Sequence, residues 1–276
     1  MPCIADIIAF LERFAPTELA EEWDNVGLLT GDRHCDAPRV LTCLTLTPDV
    51  AREAIERQAA LVVAHHPLLF HAVKRLTADN AEGKMLLELI TAGIAVYSPH
   101  TAYDSAAEGI NQQLALALGL AQIEPLVPRP SGGGSGRMGL WGPHGDAGSA
   151  ANSLGGFMAA VKTKLRIGAL PFVGDPMRPV SRVAIACGSG GEFLSAAIDR
   201  QCDVLLTGEA RFHTCLEARG AGIALVLAGH YATERPGMEH LAEILSREFP
   251  DVTVWASEVE RDPVQWSLCT DLPPAL

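Results

Sequence analysis

The stretch LVVAHHP, residues 61–67, sets an apolar run of strand-forming residues directly against two adjacent histidines. β-Branched and aliphatic residues favour strands, so residues 60–64 predict a buried strand. Pro67 biases His66 towards an extended backbone, which keeps successive side chains on opposite sides of the chain. One metal ion cannot easily take both imidazoles, so the pair His65-His66 suits two metals. For an isolated pair, two partly exposed histidines at a strand exit are the alternative.

Outward from this strand, apolar β-like runs alternate with helical patterns. In the first half, the predicted strands are 39–45, 60–64 and 94–97, and the predicted helices are 4–13, 50–57, 81–90 and 106–118. Such alternation is typical of βαβ units, in which parallel strands are joined by helices. The sequence therefore predicts an α/β fold with a largely parallel sheet.

The composition changes near residue 125, where three prolines lead into the segment SGGGSG, residues 131–136. This stretch predicts a mobile loop without a regular element. We therefore expect one α/β domain of residues 1–125 plus 229–276, carrying most metal ligands, and a second α/β domain of residues 126–228. The later predicted elements are strands 137–141, 169–173, 183–187, 204–206, 223–227 and 252–255, and helices 150–164 and 192–200.

Composition limits the class of protein. The chain has 276 residues, 48% of them hydrophobic, which is ample for a buried core. A net charge of −12 with scattered acidic residues argues against bulk nucleic acid as a partner. Seven cysteines, an odd number without C-x-x-C spacing, predict reduced thiols and a cytoplasmic location. The N-terminus lacks a basic export signal, and no apolar run reaches the roughly 18 residues of a membrane span, so we expect neither export nor membrane insertion.

Two further polar clusters follow predicted strands. His100 and Asp104 are four residues apart, as are His230 and Glu234. On a helix this spacing puts both side chains on one face, although each pair could also straddle a strand-to-helix turn. A lone pair of this kind is common on surface helices. Because α/β folds bind ligands at the carboxyl ends of their strands, we expect all three clusters to meet in one crevice.

The combined side chains predict a metal centre. The predicted ligands are His65, His66, Asp104, His230 and Glu234. Three imidazoles and two carboxylates suit Zn, Fe, Mn, Co or Ni better than Mg or Ca. A carboxylate can bridge two cations and leave room for bound hydroxide, so we expect two divalent metal ions per subunit and hydrolytic chemistry. His100 is then a candidate orienting residue or proton shuttle rather than a ligand.

Other residues leave alternatives open. Glu209 and His213 could line the same cavity, with Glu209 as a catalytic acid or base, or form a plain helix-face pair. The glycine-rich turn 188–191 could bind phosphate or serve as a tight turn between strand and helix, because it lacks the Walker lysine and the full dinucleotide fingerprint. His71 is near enough to reach the pocket, but we expect it in a solvated loop. Surface positions are expected for His34, His144 and His240.

Several segments, taken together, carry a resemblance to a known family. They are EWDNVGL (22–28), HHPLLF (65–70), YSPHT (97–101) with Asp104, DVLLTGE (203–209), GHYATE (229–234) and RDP (261–263). In this order they closely resemble the NIF3-like family, also called the GTP cyclohydrolase 1 type 2 or YbgI-like family. The resemblance runs through almost the whole chain.

The resemblance implies more than spacing predicts. It implies two α/β domains with a dinuclear metal site in the cleft between them, and a toroidal homo-hexamer built as a trimer of dimers. By motif, His65, Asp104 and Glu234 would hold one metal, and His66, His230 and the shared Glu234 the other. It also places residues 23–25 near the cleft, as substrate contacts or as loop-fixing hydrogen bonds. This chain lacks the long inserted domain of larger members, so no role of that insert is carried over.

The resemblance further implies a metal-dependent hydrolase of the GTP cyclohydrolase type, in which metal-bound hydroxide attacks C8 of a purine nucleotide or attacks a related small-molecule substrate. A different amidohydrolase or phosphoesterase reaction at the same two ions is one alternative. The other is a non-catalytic hexameric ring that binds metal or a partner for storage, delivery or regulation. The predicted catalytic residues are His100 and Glu209.

Overall fold

The computed structural model describes residues 1–129, 133–142 and 152–267. The helices are α1 (Ile4–Phe14), α2 (Pro48–Glu56), α3 (Ala81–Thr91), α4 (His100–Ser105), α5 (Ile110–Ala117), α6 (Leu154–Leu165), α7 (Leu194–Asp199), α8 (Phe212–Ala221) and α9 (His230–Glu248). The strands are β1 (Gly27–Thr30), β2 (Arg39–Cys43), β3 (Leu61–Ala64), β4 (Ala95–Ser98), β5 (Ala121–Glu124), β6 (Val127–Pro128), β7 (Gly134–Ser135), β8 (Arg137–Leu140), β9 (Phe172–Val173), β10 (Arg182–Ala186), β11 (Val204–Thr207), β12 (Ala224–Leu227) and β13 (Thr253–Ala256).

The first sheet has the order β1-β4-β3-β2-β13, and only the edge strand β1 is antiparallel to its neighbour. Strands β3 and β4 are buried along their whole length, as expected of central parallel strands covered on both faces. Helices α1 and α9 pack on one face, and α2 and α3 pack on the other. The buried hydroxyl of Thr42 donates to the carbonyl of Met238 and ties β2 to α9.

The second sheet has the order β5-β8-β10-β11-β12-β9. Its three central strands are parallel, and β8 and β9 flank them antiparallel. Helices α5 and α6 cover one face, while α7 and α8 cover the other. The α/β fold that the sequence predicts is confirmed in both sheets.

Several predicted elements have different limits in the structure. The predicted helix 106–118 begins only at Ile110, because Ala106 is extended and Gly109 caps the helix. The predicted helix 192–200 is a 3₁₀ turn, Gly190–Phe193, followed by α7. The predicted strand 169–173 is reduced to β9. Predicted helix residues 150 and 151 lie outside the described residues.

The expected loop at 131–136 is partly regular. β7 pairs with β6, and the buried guanidinium of Arg137 donates to the carbonyls of Gly134 and Gly136 at 2.8 and 2.7 Å. Residues 131 and 132 of this segment lie outside the described residues. The predicted domain division remains a prediction; β5 hydrogen-bonds to the second sheet, which favours a limit before Ala121 over one after residue 125.

Helix α9 joins the two sheets, because it begins just after β12 of the second sheet and leads into β13 of the first. The carboxyl ends of β3, β4 and β12 therefore contribute side chains to a shared region. Within the described ranges, no helix combines the length and hydropathy needed to cross a bilayer. The six cysteines in these ranges are free thiols, and Cys269 lies outside them.

Candidate metal centre

The two adjacent histidines stand at the carboxyl end of β3. The amides of His65 and His66 continue the parallel pairing by donating to the carbonyls of Cys43 and Leu44 at 3.0 and 2.9 Å. The two rings lie next to each other, with centroids 5.3 Å apart and 51° between their planes. His65 faces Asp104, whereas His66 faces α9.

The other predicted ligands come from two helices that start at strand ends. Asp104 lies on α4, and its Oδ1 is 3.6 Å from Nε2 of His65. His230 and Glu234 lie in the first turns of α9, where the i,i+4 spacing places Nε2 of His230 3.0 Å from Oε2 of Glu234. Nε2 of His66 is 3.1 Å from the same oxygen. His230 and Glu234 therefore lie on one face of α9, whereas His100 stands at the start of α4 with a φ of +21°.

These five residues form two overlapping groups of potential metal ligands. In His65, Asp104 and Glu234, and again in His66, His230 and Glu234, the donor atoms all lie within 4.8 Å of one another. His65, His66 and His100 form a third group by the same measure. These imidazoles and carboxylates, of which His65 and Glu234 are buried, could hold metal ions.

Unpartnered buried atoms show that the residues fit a metal. Both ring nitrogens of His65 and Oδ1 of Asp104 are buried without a hydrogen-bond partner among the described residues. Leaving such atoms unpaired costs on the order of 1–3 kcal/mol each. A cation bound between His65 and Asp104 would remove that cost, since a neutral imidazole nitrogen and a carboxylate are both good ligands.

The electrostatics agree with a site for positive charge. Burial lowers the pKa of His65 well below its ordinary value, so the ring is neutral. Burial, reinforced by the charge of Glu234, raises the pKa of Asp104 well above its ordinary value. Burial opposes ionisation of Glu234, yet hydrogen bonds from His230 and His66 outweigh it and hold the pKa of Glu234 well below its usual range. The hydrogen bond to Glu234 also raises the pKa of His230 to about 9.

Three polar residues orient the imidazoles by hydrogen bonds to their Nδ1 atoms. The hydroxyl of Thr45 lies 2.7 Å from Nδ1 of His66, and Glu209 accepts from Nδ1 of His230 at 3.0 Å. Asp24 accepts from Nδ1 of His100 at 2.8 Å. Partners of this kind fix the tautomer and direction of a metal-binding histidine.

Asp24 and Asn25 make loop-fixing hydrogen bonds. Besides His100, Asp24 accepts from the backbone amide of Thr101 at 3.1 Å, and these bonds with His100 and Thr101 lower the pKa of Asp24 to about 2 although burial opposes the shift. The side-chain amide of Asn25 donates to the carbonyl of Leu69 at 2.6 Å. Two loops at the site are thereby joined.

A cavity of about 430 Å³ opens beside the cluster. Its lining includes His66, Asp104 and Glu234 from the ligand cluster and Cys187 and Phe193 from the second sheet. The cavity thus lies between elements of both sheets.

The remaining predicted residues have varied positions. Glu209 is exposed and contacts the site through His230, whereas His213 is exposed and contacts Phe212. The glycine-rich turn contributes Ser189 and Gly190 to the cavity lining. His34 and His71 are exposed, His240 is 3.7 Å from Glu243, and His144 lies outside the described residues.

Sequence reasoning missed several residues that shape the site. Gly188 has a φ of +63°, and a Cβ there would lie 1.9 Å from Oε1 of Glu234, so any side chain at this position would displace the Glu234 carboxylate. Asn111 accepts from the amide of Cys187 at 2.8 Å and donates to the carbonyl of Asp104 at 3.1 Å. Glu260 accepts from the amides of residues 44 and 45, at 3.0 and 2.6 Å, and so holds the segment that carries Thr45. The sequence offered one hint for Gly188, its place in the glycine-rich turn.

Comparison with known proteins agrees with this architecture. A relative from Nostoc sp., named GTP cyclohydrolase 1 type 2 homolog, is 39% identical over 246 residues, covering 88% of this chain and 90% of the relative. NIF3-like protein 1 of Drosophila melanogaster is 32% identical over 269 residues, covering 95% and 88%. The crystal structure of Staphylococcus aureus protein SA1388 superposes with a TM-score of 0.86 at 28% identity, covering 96% of this chain and 99% of that one. The family profile described as Duf34/NIF3 (NGG1p interacting factor 3) matches residues 2–263, and the chain belongs to this family.

Proposed function

We propose that the protein is a dinuclear metal-dependent hydrolase of the GTP cyclohydrolase 1 type 2 kind, acting on a purine nucleotide or a related small molecule. The names of the curated relatives support this substrate class. The metal ligands would be His65, Asp104 and Glu234 for one ion and His66, His230 and the shared Glu234 for the other. The ions would be drawn from Zn, Fe, Mn, Co and Ni, which suit this nitrogen and oxygen set.

One observation carries the proposal. Both ring nitrogens of His65 are fully buried, unpartnered among the described residues, and close to the equally unpartnered Oδ1 of Asp104. An apolar side chain would fill such a position without the cost of unpaired polar atoms. The arrangement is explained if a cation completes it.

The residues have distinct roles in the proposed reaction. Divalent cations would supply an activated water at neutral pH and stabilise charge that develops on the attacked group. Glu234 belongs to both candidate ligand groups and would contribute its carboxylate to holding the ions. His100 donates Nδ1–H to Asp24, which leaves its Nε2 as the proton acceptor in the cavity wall. Glu209 would act by orienting His230 rather than by touching substrate.

Assembly and location belong to the same proposal. We expect a homo-hexamer, a trimer of dimers, in the cytoplasm, with no membrane association. Light scattering of the purified protein would give the mass of the assembly directly. A stable monomer would contradict the hexamer. It would not contradict the proposed metal ligands, because all of them come from one chain.

Metal analysis together with a substrate screen tests the function. Purified protein, supplied with each candidate metal, should bind two equivalents per chain and release product from GTP or a related nucleotide. Glu234→Gln should lose both metal and turnover while keeping its fold by circular dichroism. The matched control is Glu243→Gln on the same helix, where the side chain is 70% exposed and away from the cluster.

The outcomes separate the alternatives. Two bound metals with no hydrolysis of nucleotides, phosphoesters or amides would favour the non-catalytic metal-binding ring. Turnover of a phosphoester or amide, but not of a purine ring, would keep the hydrolase and change its substrate. Failure to bind metal under all conditions would end the proposal.

A further inference from the structure

Two large aromatic side chains stand in solvent at the mouth of the metal cavity. Trp23 is 60% exposed and Phe70 is 44% exposed. Both line the same cavity as His66 and Glu234. Large apolar rings left uncovered beside convergent polar groups are typical of a ligand site, where the ligand completes their burial.

The rings form a fixed corner. The centroids of Trp23 and Phe70 are 5.9 Å apart with 64° between their planes, and the centroids of Trp23 and His100 are 6.1 Å apart at 75°. These are edge-to-face contacts, so the two rings leave no slot between them for a ligand, and a ligand would stack on the surface that each ring exposes to solvent.

Hydrogen bonds join the segments that carry Trp23 and Phe70 in the absence of a ligand. Asn25 bonds the carbonyl of Leu69, the residue before Phe70, and Asp24 bonds the ring of His100. A ligand that binds against a backbone already joined by hydrogen bonds orders fewer groups, and such preorganisation favours affinity.

We propose that Trp23 and Phe70 form a stacking platform for a planar heteroaromatic ring of the substrate and hold that ring beside the metal ligands. The inference rests on the proposed function and deepens it, because it makes a flat ring a requirement for tight binding. Nucleobases fit this requirement, since every base presents a π-face for stacking on an aromatic side chain.

Tryptophan emission gives a direct test. In a Trp266→Phe background, Trp23 is the exposed tryptophan, because Trp141 and Trp255 are each only 8% exposed. GTP should quench its emission, whereas inorganic triphosphate, which lacks a ring but binds metal, should not. By calorimetry on the metal-loaded protein, Trp23→Ala and Phe70→Ala should each weaken GTP binding about 5- to 100-fold and leave triphosphate binding unchanged. Trp23→Phe should retain most of the affinity.

Phe212→Ala is the matched control, because Phe212 is 72% exposed on α8 and is not part of the cavity lining. It should bind GTP like the parent protein. Metal content should be normal in Trp23→Ala, which separates the platform from the metal centre.

Equal affinity of the parent and Trp23→Ala for GTP would overturn the platform. So would a change of oligomeric state in Trp23→Ala with GTP binding intact, which would identify the rings as a subunit contact. If GTP quenches Trp23 and depends on both rings but is not hydrolysed, the platform stands and the proposed function fails.

Discussion

The two halves of the ligand cluster differ in how they are stabilised without metal. In the inner half, His65 is fully buried, and its ring and Oδ1 of Asp104 have no hydrogen bonds among the described residues. In the outer half, His66 and His230 are 27% and 34% exposed, and both rings bond to Glu234 and to a second partner. Hydrogen bonds thus satisfy the outer half within the described residues, whereas the buried atoms of the inner half lack such partners.

The two halves should therefore respond differently to loss of metal. Protons can replace a cation among His66, His230 and Glu234, since the raised pKa of His230 keeps its ring charged at neutral pH. In the inner half, burial keeps His65 neutral, and the raised pKa of Asp104 reflects the cost of burying its charge there. The cost of an empty site therefore falls mainly on the inner half.

The largest effect is expected from a substitution that disturbs the residue shared by both halves. In Gly188→Ala, the new Cβ would lie 1.9 Å from Oε1 of Glu234, so the carboxylate must move away from both groups. We expect loss of both metal equivalents and a destabilisation of about 2–4 kcal/mol, from steric overlap and the positive φ. Metal analysis and urea unfolding measure the two effects.

Gly222→Ala separates strain from steric overlap. Gly222 has a φ of +72°, close to that of Gly188, but nothing lies within 4 Å of its missing Cβ. This variant should lose about 1–2 kcal/mol of the free energy of unfolding, because of the positive φ, and should keep both metal equivalents. Equal metal content in the two variants would show that Glu234 is not held in place by Gly188.

An intermediate effect is expected at Asp104. Its substitution should change the free energy of unfolding in opposite directions in the metal-free and the metal-loaded protein. Burial next to Glu234 raises the pKa of Asp104, so folding without metal must either protonate this carboxyl or bury its charge. Asp104→Asn removes that cost, and the metal-free protein should gain about 1 kcal/mol of stability. The metal-loaded protein should lose the stabilisation that binding supplies, about 3 kcal/mol at a free metal concentration of 100 Kd. Unfolding experiments in the presence of metal and in the presence of chelator measure the change in free energy of unfolding under each condition. Asp251→Asn, at an exposed position, should change neither.

The parts of the site that follow local rules could be predicted from the sequence. The apolar run before His65 predicts a strand that ends there, and the four-residue spacing of His230 and Glu234 predicts a shared helix face; both features are present. Whether these residues are ligands remains a prediction for the metal analysis. Local patterns sufficed because strand alternation and helical spacing act over a few residues.

The supporting contacts could not be predicted, because they join distant parts of the chain. Glu260 binds the amide of Leu44 across 216 positions, and Asn111 binds the amide of Cys187 across 76. Neither residue stands in a motif that indicates its partner. The limits of helix α5 also differed, because an extended Ala106 breaks a pattern that is apolar enough to read as one helix.

A smaller effect, confined to the outer half, is expected at Thr45. Thr45→Val keeps the shape of the side chain and removes the hydroxyl 2.7 Å from Nδ1 of His66. Loss of such an orienting partner lowers metal affinity by about 10- to 100-fold. Competition with a chromophoric chelator should show that one metal equivalent is bound with lower affinity and that the other is bound with unchanged affinity. Thr91→Val is the control, since Thr91 makes a bond of the same length, 2.7 Å, to the carbonyl of Leu87 on α3. Equal weakening of both equivalents would mean that the halves are not independent.

The smallest effect concerns Glu53, a buried carboxylate that, unlike Asp104, is fully satisfied by hydrogen bonds. It accepts from Trp255 at 3.0 Å, Ser257 at 2.6 Å and the amide of Glu258 at 3.1 Å. Burial opposes ionisation, but these bonds outweigh it and lower the pKa of Glu53 below its ordinary value.

Because the folded-state pKa of Glu53 lies below that of the unfolded chain, about 4.3, the unfolded chain binds the proton first as the pH falls. The stabilisation by Glu53 is therefore full at neutral pH and is lost as the pH drops below about 4 and through the folded-state pKa. Glu53→Gln should cost about 1–2 kcal/mol at pH 7, and the gap to the parent should narrow towards about pH 3. Glu56→Gln, at an exposed position on the same helix, should show no gap at either pH. Urea unfolding at both pH values measures the difference in free energy of unfolding between the parent and Glu53→Gln. A difference that does not change with pH would mean that the shape of the Glu53 side chain, and not its charge, stabilises the fold.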